Sequence, residues 1–460
     1  MHYIHEDDID QEEFDGFVKD GSKKKKIKIV GPAVSLPICE GRTIGQFDFS
    51  TKGWVSGTGR SAVWDDLDWN GKKVNPQFLM GRSVFDANLA SDHANELRKH
   101  GGDKAAATFL KRISDPATFE TWNLPNHFRL AFMDVSSATN TRTMISSLLG
   151  FTPSGNKTPL LTTAARFTPA LAASLNSLSF DYQFRNRLVG TTLNYFIVAE
   201  AAIPLATQHA LEIRELDLIT RRLNCGSVLQ AHWWIGKPFT ANKPWRTLWA
   251  VSRHERTRLR CIVEALVACA YEMDVADMKV AIAETDYSLE RLSSDRFSST
   301  LFPKGLWRVD KTLPPEQRLT VLGFVAFAEL HKCIEQLGND RKAGIITFLT
   351  QNDGEGWQLP ETLRLADYGL GHDERAKEHQ PVRECFGPRF YDWQLAQTPE
   401  ESWAECHLHA RNLLGQPAYE KLLAGDASGD LSIPDAESAV HEDQEPFQLT
   451  GESPSRKRRR

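Results

Sequence analysis

Residues 134–150, DVSSATNTRTMISSLLG, and residues 171–204, LAASLNSLSFDYQFRNRLVGTTLNYFIVAEAAIP, frame the stretch on which the reading of this 460-residue chain turns. Between Asp134 and Asp181 there is no acidic residue, whereas Arg142, Lys157 and Arg166 supply positive charge. Leu171, Leu175 and Leu178 recur at helical spacing, which predicts a helix from Phe167 to about Arg187 with one buried face. Val189-Gly190-Thr191-Thr192 ends that helix, and LNYFIV reads as a short buried strand closing before Pro204. A helix carrying Arg185 and Arg187 on its last turn thus hands over to a strand through a Gly/Thr corner. Such a corner brings backbone N–H groups, the Thr191 and Thr192 hydroxyls and guanidinium groups together, a combination suited to a phosphate backbone.

Charge is distributed to match. The formal net charge is −5, but residues 135–260 hold 15 Lys/Arg against 6 Asp/Glu, a local +9 that leaves −14 on the remainder. Basic charge gathered in one region is the footprint of a polyanion partner, or a solvated basic face with no partner. From His232 to Arg260 the cations, Lys243, Arg246 and Arg253 among them, alternate with Trp233, Trp234, Phe239, Trp245 and Trp249. Aromatics and cations interleaved in this way stack on nucleic acid, or else the tryptophans are core and the cations their exposed neighbours.

The architecture expected is α+β. An acidic-then-basic segment (1–28) includes the Lys23–Lys26 run, read as a solvated loop. A β-rich piece (29–130) follows, with a helical stretch at 88–120, then a mixed α/β core (131–250) with a polar helix near 207–223. Residues 251–422 read as mainly helical. Leu259, Ile262, Val263, Leu266 and Ala270 form an apolar stripe, Asp274 and Asp277 mark a helix start, and Pro314-Pro315 opens a buried helix over 316–337. AGIITFL (343–349) reads as a strand, and Thr398-Pro399 with Glu401 as a capped helix start. Residues 423–460 are Ser-, Asp-, Glu- and Pro-rich and predicted disordered. Seven irregularly spaced Cys argue for a reducing compartment. No apolar run approaches the length of a membrane span and no signal peptide opens the chain, so a cytoplasmic location without membrane contact is expected.

The runs DVSSATNTRT, NSLSFDY, RNR and GTTLNYFIV resemble type IIG restriction–modification enzymes and the large adenine-specific DNA methyltransferases of phage-defence systems such as DISARM and BREX. Three further patches agree: CEGRTIGQFDFSTKGWVSGTGR (39–60), RTRLRCIVEALVACAYEMDVADMKVAI (256–282) and FGPRFYDWQLAQTPEESW (386–403). In that family the pattern lies carboxy-terminal to the catalytic domain, in the target-recognition region. The resemblance therefore implies a sequence-specific double-stranded DNA recognition module. The residues implied in contact are Arg142, Arg185, Arg187 and Asn194, with Thr191, Thr192, Lys157, Arg166, Lys243, Arg246 and Arg253 in support. Asn194 equally suits a capping role, and Arg142 a pairing with Asp134.

The family's chemistry is missing from these residues. A methyltransferase needs a Gly-rich turn for S-adenosylmethionine and an Asn-Pro-Pro-aromatic loop that grips the extruded adenine. Asn75-Pro76-Gln77-Phe78 lacks the second proline and is read as a strand connection, and Gly53, Gly57 and Gly59 lack a phosphate-loop ending. Cys385, Cys406, His407 and His409 do not have zinc-ligand spacing. No cofactor is expected on this chain. The cofactor would sit on a separate catalytic subunit or on a missing domain, and the alternative is a truncated remnant without independent activity.

Overall fold

Two paired strands open the computed structural model: β1 (Gln11–Asp20) runs antiparallel to β2 (Lys23–Pro32), with Gln11 opposite Pro32 and Asp20 opposite Lys23. The Lys23–Lys26 run, expected as a loop, is therefore strand backbone. The structure describes residues 11–20, 23–32, 35–123, 127–161, 167–204, 208–235 and 242–424. Arg166, Phe239 and the tail expected to be disordered from 425 onward lie outside these residues.

The fold is mixed α+β, with helix far outweighing strand. Its amino-terminal sheets are small ribbons. β3 (Ser35–Pro37) pairs with β6 (Leu79–Gly81), and β4 (Lys52–Ser56) with β5 (Val63–Asp66). The expected helical stretch is α1 (Arg82–Arg112), broken at Gly102 by a φ of 74°, followed by α2 (Pro116–Asn123). Next comes a three-stranded antiparallel sheet in the order β8-β7-β9, from β7 (Arg129–Phe132), β8 (Ser146–Leu149) and β9 (Leu160–Leu161). All four residues of β7 are buried, as its central place requires.

The helix expected over 167–187 is two helices, α3 (Thr168–Asn176) and α4 (Leu178–Arg187). Ser177 between them is extended, and its Oγ accepts the Phe180 N–H at 3.1 Å, restarting the helix. The single buried face is also corrected. Ala170, Ala172, Ala173, Leu175 and Asn176 are all buried, because α3 is wedged between the sheet and α6 (Ala210–Asn224).

The strand expected at LNYFIV is a short helix, α5 (Tyr195–Ala199). The Ile197 and Val198 N–H groups bond back to Asn194 O at 3.0 and 3.2 Å. Within α5 only Val198 is buried, so the run has no second apolar face to place in a sheet.

From Arg253 the chain is mainly helical, as expected, apart from a short antiparallel ribbon that pairs Thr362–Leu363 with Gln380–Pro381. It comprises α7 (Arg253–Ala270), α8 (Val275–Ala281), the single turns α9 (Leu289–Leu292) and α10 (Asp295–Ser298), α11 (Leu319–Gln336), α12 (Arg341–Thr350), α13 (Asp392–Leu395), α14 (Pro399–Leu414) and α15 (Gln416–Leu423). The AGIITFL strand reading is overturned: these residues form α12, whose Asp340 cap accepts the Ala343 N–H at 3.0 Å. Ile345 and Phe348, three apart, face inward while Ile346 is exposed, which is helical and not strand periodicity. The capping boxes read at Asp274/Asp277 and Thr398/Glu401 both form. Two large apolar clusters, one along α7 and α11 and one around the sheet and α14, each draw residues from both sides of position 250. Trp233, Trp234, Trp245 and Trp249 lie within the second, so the core reading of the tryptophans holds. Among the described residues, no helix is long and apolar enough to cross a membrane.

Candidate nucleic-acid interface

Four arginines of the basic island, Arg142, Arg185, Arg221 and Arg258, turn inward. Arg185 is fully buried: Nε and Nη2 donate to Asp181 Oδ1 at 3.0 and 2.8 Å, and Nη1 to the carbonyls of Lys304 and Gly305. Arg142 is buried beside it. Its Nε donates to Gln46 Oε1 at 3.0 Å and its Nη2 to Asn176 O at 3.1 Å, while Asp181 and Glu264 each lie at 3.5 Å. These contacts correct the expectation that Arg142 and Arg185 touch DNA, since their donors are committed to internal acceptors. The Arg142–Asp134 pairing is corrected too: Asp134 pairs with Lys157 at 3.1 Å. Arg221 with Asp217, and Arg258 with Glu255, are buried pairs of the same kind. An ion pair inside a protein has lost its hydration, and breaking one costs about 3–5 kcal/mol, so these arginines are fastened in place.

Other expected contacts stay at the surface. Lys243 pairs with Glu355 and Arg246 with Glu405, exposed or half-buried pairs that a phosphate could replace at little cost. Arg187 is exposed and donates to the carbonyl of Glu200 at 3.3 Å. The corner follows directly. Gly190 has a φ of 97°, a backbone conformation that favours glycine. Thr191 is exposed, and Thr192 bridges to Val135. Asn194 is exposed and precedes α5 without a side-chain capping bond. Beside them Tyr195 and Phe196 are 58% and 63% exposed.

A second group joins Arg253, expected as a supporting contact, to two arginines not singled out in the sequence. Arg253, Arg256 and Arg260 stand at i, i+3 and i+7 on one face of α7 and line a cleft of about 430 Å³ shared with Trp69 and Asp310. Arg256 lies 3.5 Å over the Trp69 ring. Burial pulls it down to about 9, against the opposing effect of Asp48. Burial lowers Arg260 as well, although Asp310 opposes this. Arg253 donates to Cys385 O and Gln317 Oε1 and is exposed. The helical spacing within RHERTRLR was the available signal, but the sequence alone does not tell this face of α7 from the face that buries Arg258.

The segment 304–310 joins the two groups. Lys304 Nζ reaches Asn186 O beside Arg187, Arg308 donates to Thr139 O at 2.7 Å, and Asp310 lines the cleft. Among the described residues no carboxylate lies within ion-pair distance of Arg187, Lys304, Arg308, Arg253, Arg256 or Arg260. From the corner through 304–310 to the cleft these cations form a stripe without directly paired carboxylates, although Asp48 acts on Arg256 and Asp310 on Arg260 at longer range.

In the Asn75–Phe78 loop, Asn75 O accepts the Trp54 N–H and Gln77 Nε2 donates to Gly57 O. Cys406 donates to Ala231 O inside the core, and His407 Nδ1 pairs with Tyr419 OH, so both belong to the packing of α14. No protein-family model, curated protein or solved structure matches the chain.

Proposed function

We propose that the chain is a sequence-specific double-stranded DNA recognition module, acting with a separate adenine-specific methyltransferase chain that holds S-adenosylmethionine. The observation that carries this reading is the outward display of the corner. Arg187, Thr191 and Asn194 are exposed beside Tyr195 and Phe196, in the stretch whose sequence resembles the recognition region of type IIG and phage-defence methyltransferases. Cations on the stripe would neutralise phosphates and fix register, while Asn194 and the corner hydroxyls would reach base edges. Lys157, Lys243 and Arg246 would contribute by exchanging their surface carboxylates for phosphates.

The test is duplex binding by the purified chain at several salt concentrations, followed by fluorescence anisotropy. Each neutralised phosphate contributes about 0.9 to the slope of log K against log salt. Arg187→Ala is expected to weaken binding uniformly across sequences and to lower that slope by about 1. Absence of binding at the lowest salt would sink the reading. The inward neutralisation of Arg142, Arg185, Arg221 and Arg258 favours a second reading, a remnant fragment with no DNA affinity. In that case Arg187→Ala changes nothing.

A further inference from the structure

We propose that the cleft between α7 and the segment 310–319 is a phosphate-binding pocket. α7 treats its two faces differently. On one, Arg258 is clamped by Glu255, with Nε and Nη2 each 2.8 Å from a carboxylate oxygen. On the other, Arg253, Arg256 and Arg260 line a cavity, and among the described residues no carboxylate comes within ion-pair distance of any of them. Two acids also line the cleft, Asp68, which accepts the Trp69 N–H, and Asp310, whose Oδ2 accepts the Leu319 N–H at 3.1 Å, and neither comes within ion-pair distance of the three arginines.

The guanidinium groups are held in place. Arg256 donates to the carbonyls of Leu223, Ala250 and Phe47 while stacked on Trp69, and Arg260 donates to Gln46 Oε1 at 3.0 Å. Each guanidinium carries five N–H donors, so Arg260 in particular keeps donors for a ligand. Planar, pre-oriented forks match the oxygens of a phosphate. A carboxylate would satisfy one fork, whereas a phosphate has enough oxygens for several. A cavity of about 430 Å³ admits a phosphate with part of the molecule that bears it. Removing the guanidinium groups from water without a counter-charge is unfavourable, and the anion offsets that cost.

The phosphate belongs either to a nucleic-acid backbone or to a free phosphate compound. The first source rests on the recognition reading above; the second does not. Calorimetric titration of the full chain with inorganic pyrophosphate, and separately with a short duplex, distinguishes them. Arg253→Gln and Arg260→Gln are each expected to weaken the ligand that occupies the cleft by about 10-fold or more. Arg187→Ala should leave pyrophosphate binding unchanged. Loss of duplex affinity in the cleft variants assigns the pocket to backbone phosphate. Cleft-dependent pyrophosphate binding without duplex binding keeps the pocket and discards the recognition reading. The proposal is overturned if neither titration responds to the cleft variants while their melting temperatures match the parent. Arg253 is exposed, so its substitution is expected to leave the melting temperature close to the parent's.

Discussion

Arg185 and Asp181, one helical turn apart on α4, close on each other with no solvent access: Nε and Nη2 both lie within 3.0 Å of Oδ1. Asp181 also accepts the Thr143 N–H, so this pair ties α4 to the loop before β8. The RNR motif therefore divides its labour. Arg185 holds the scaffold together, and Arg187 two residues later faces solvent.

Arg185→Ala should destabilise the protein by about 3–5 kcal/mol, because it leaves the Asp181 carboxylate buried without its cation. Arg187→Ala should shift stability by no more than about 0.5 kcal/mol. Urea denaturation of the two variants checks this, and equal effects would refute the division.

Glu255 lies under Arg258, Arg222 and Arg389. Burial works against its charge, yet the three guanidinium groups hold it well below the usual carboxylate range. Its folded value lies below its unfolded one, so its stabilisation is present in full above about 4.5 and is lost as pH falls below that value. Glu255→Gln, which leaves Arg222 and Arg258 without their carboxylate and Arg389 with Glu355 alone, should lower stability at pH 7 and flatten the acid limb between pH 5 and 3, as read by denaturation at stepped pH. An unchanged acid limb would assign the effect elsewhere.

Six of the seven cysteines are buried and Cys385 is half-buried. Burial pushes the Cys225 thiol up to about 12 and the Cys39 thiol to about 11, which leaves little thiolate to react. A thiol reagent applied to the native protein should label Cys385 alone, and the other six should follow only on unfolding. Peptide mapping after a timed pulse decides it.

Ser177→Ala removes the acceptor of the Phe180 N–H and should cost about 1 kcal/mol. Because the fully buried site admits no water to replace the bond, the effect should exceed that of the exposed cap variant Ser288→Ala, which loses a bond to Arg291 N. Thermal melts of both variants test the order.

What the sequence determined by itself was local. The capping boxes at Asp274/Asp277 and Thr398/Glu401 involve residues three apart, so the chain carries both partners wherever it folds. The apolar stripe of α7 and the break at Gly190 were legible for the same reason. Tertiary structure decided the rest. LNYFIV and AGIITFL carry β-branched and aromatic residues that fit a strand, but their backbone bonds closed locally and packing buried only one side of each helix. It also decided which arginines face solvent. Arg142 turns inward because Asp181 and Glu264, 39 and 122 residues onward, arrive beside it. Arg256 is held in the cleft because Trp69 from the amino-terminal ribbons slides beneath it. A charge is spent or free according to what long-range packing brings within a few ångströms, and one-dimensional spacing does not encode that distance.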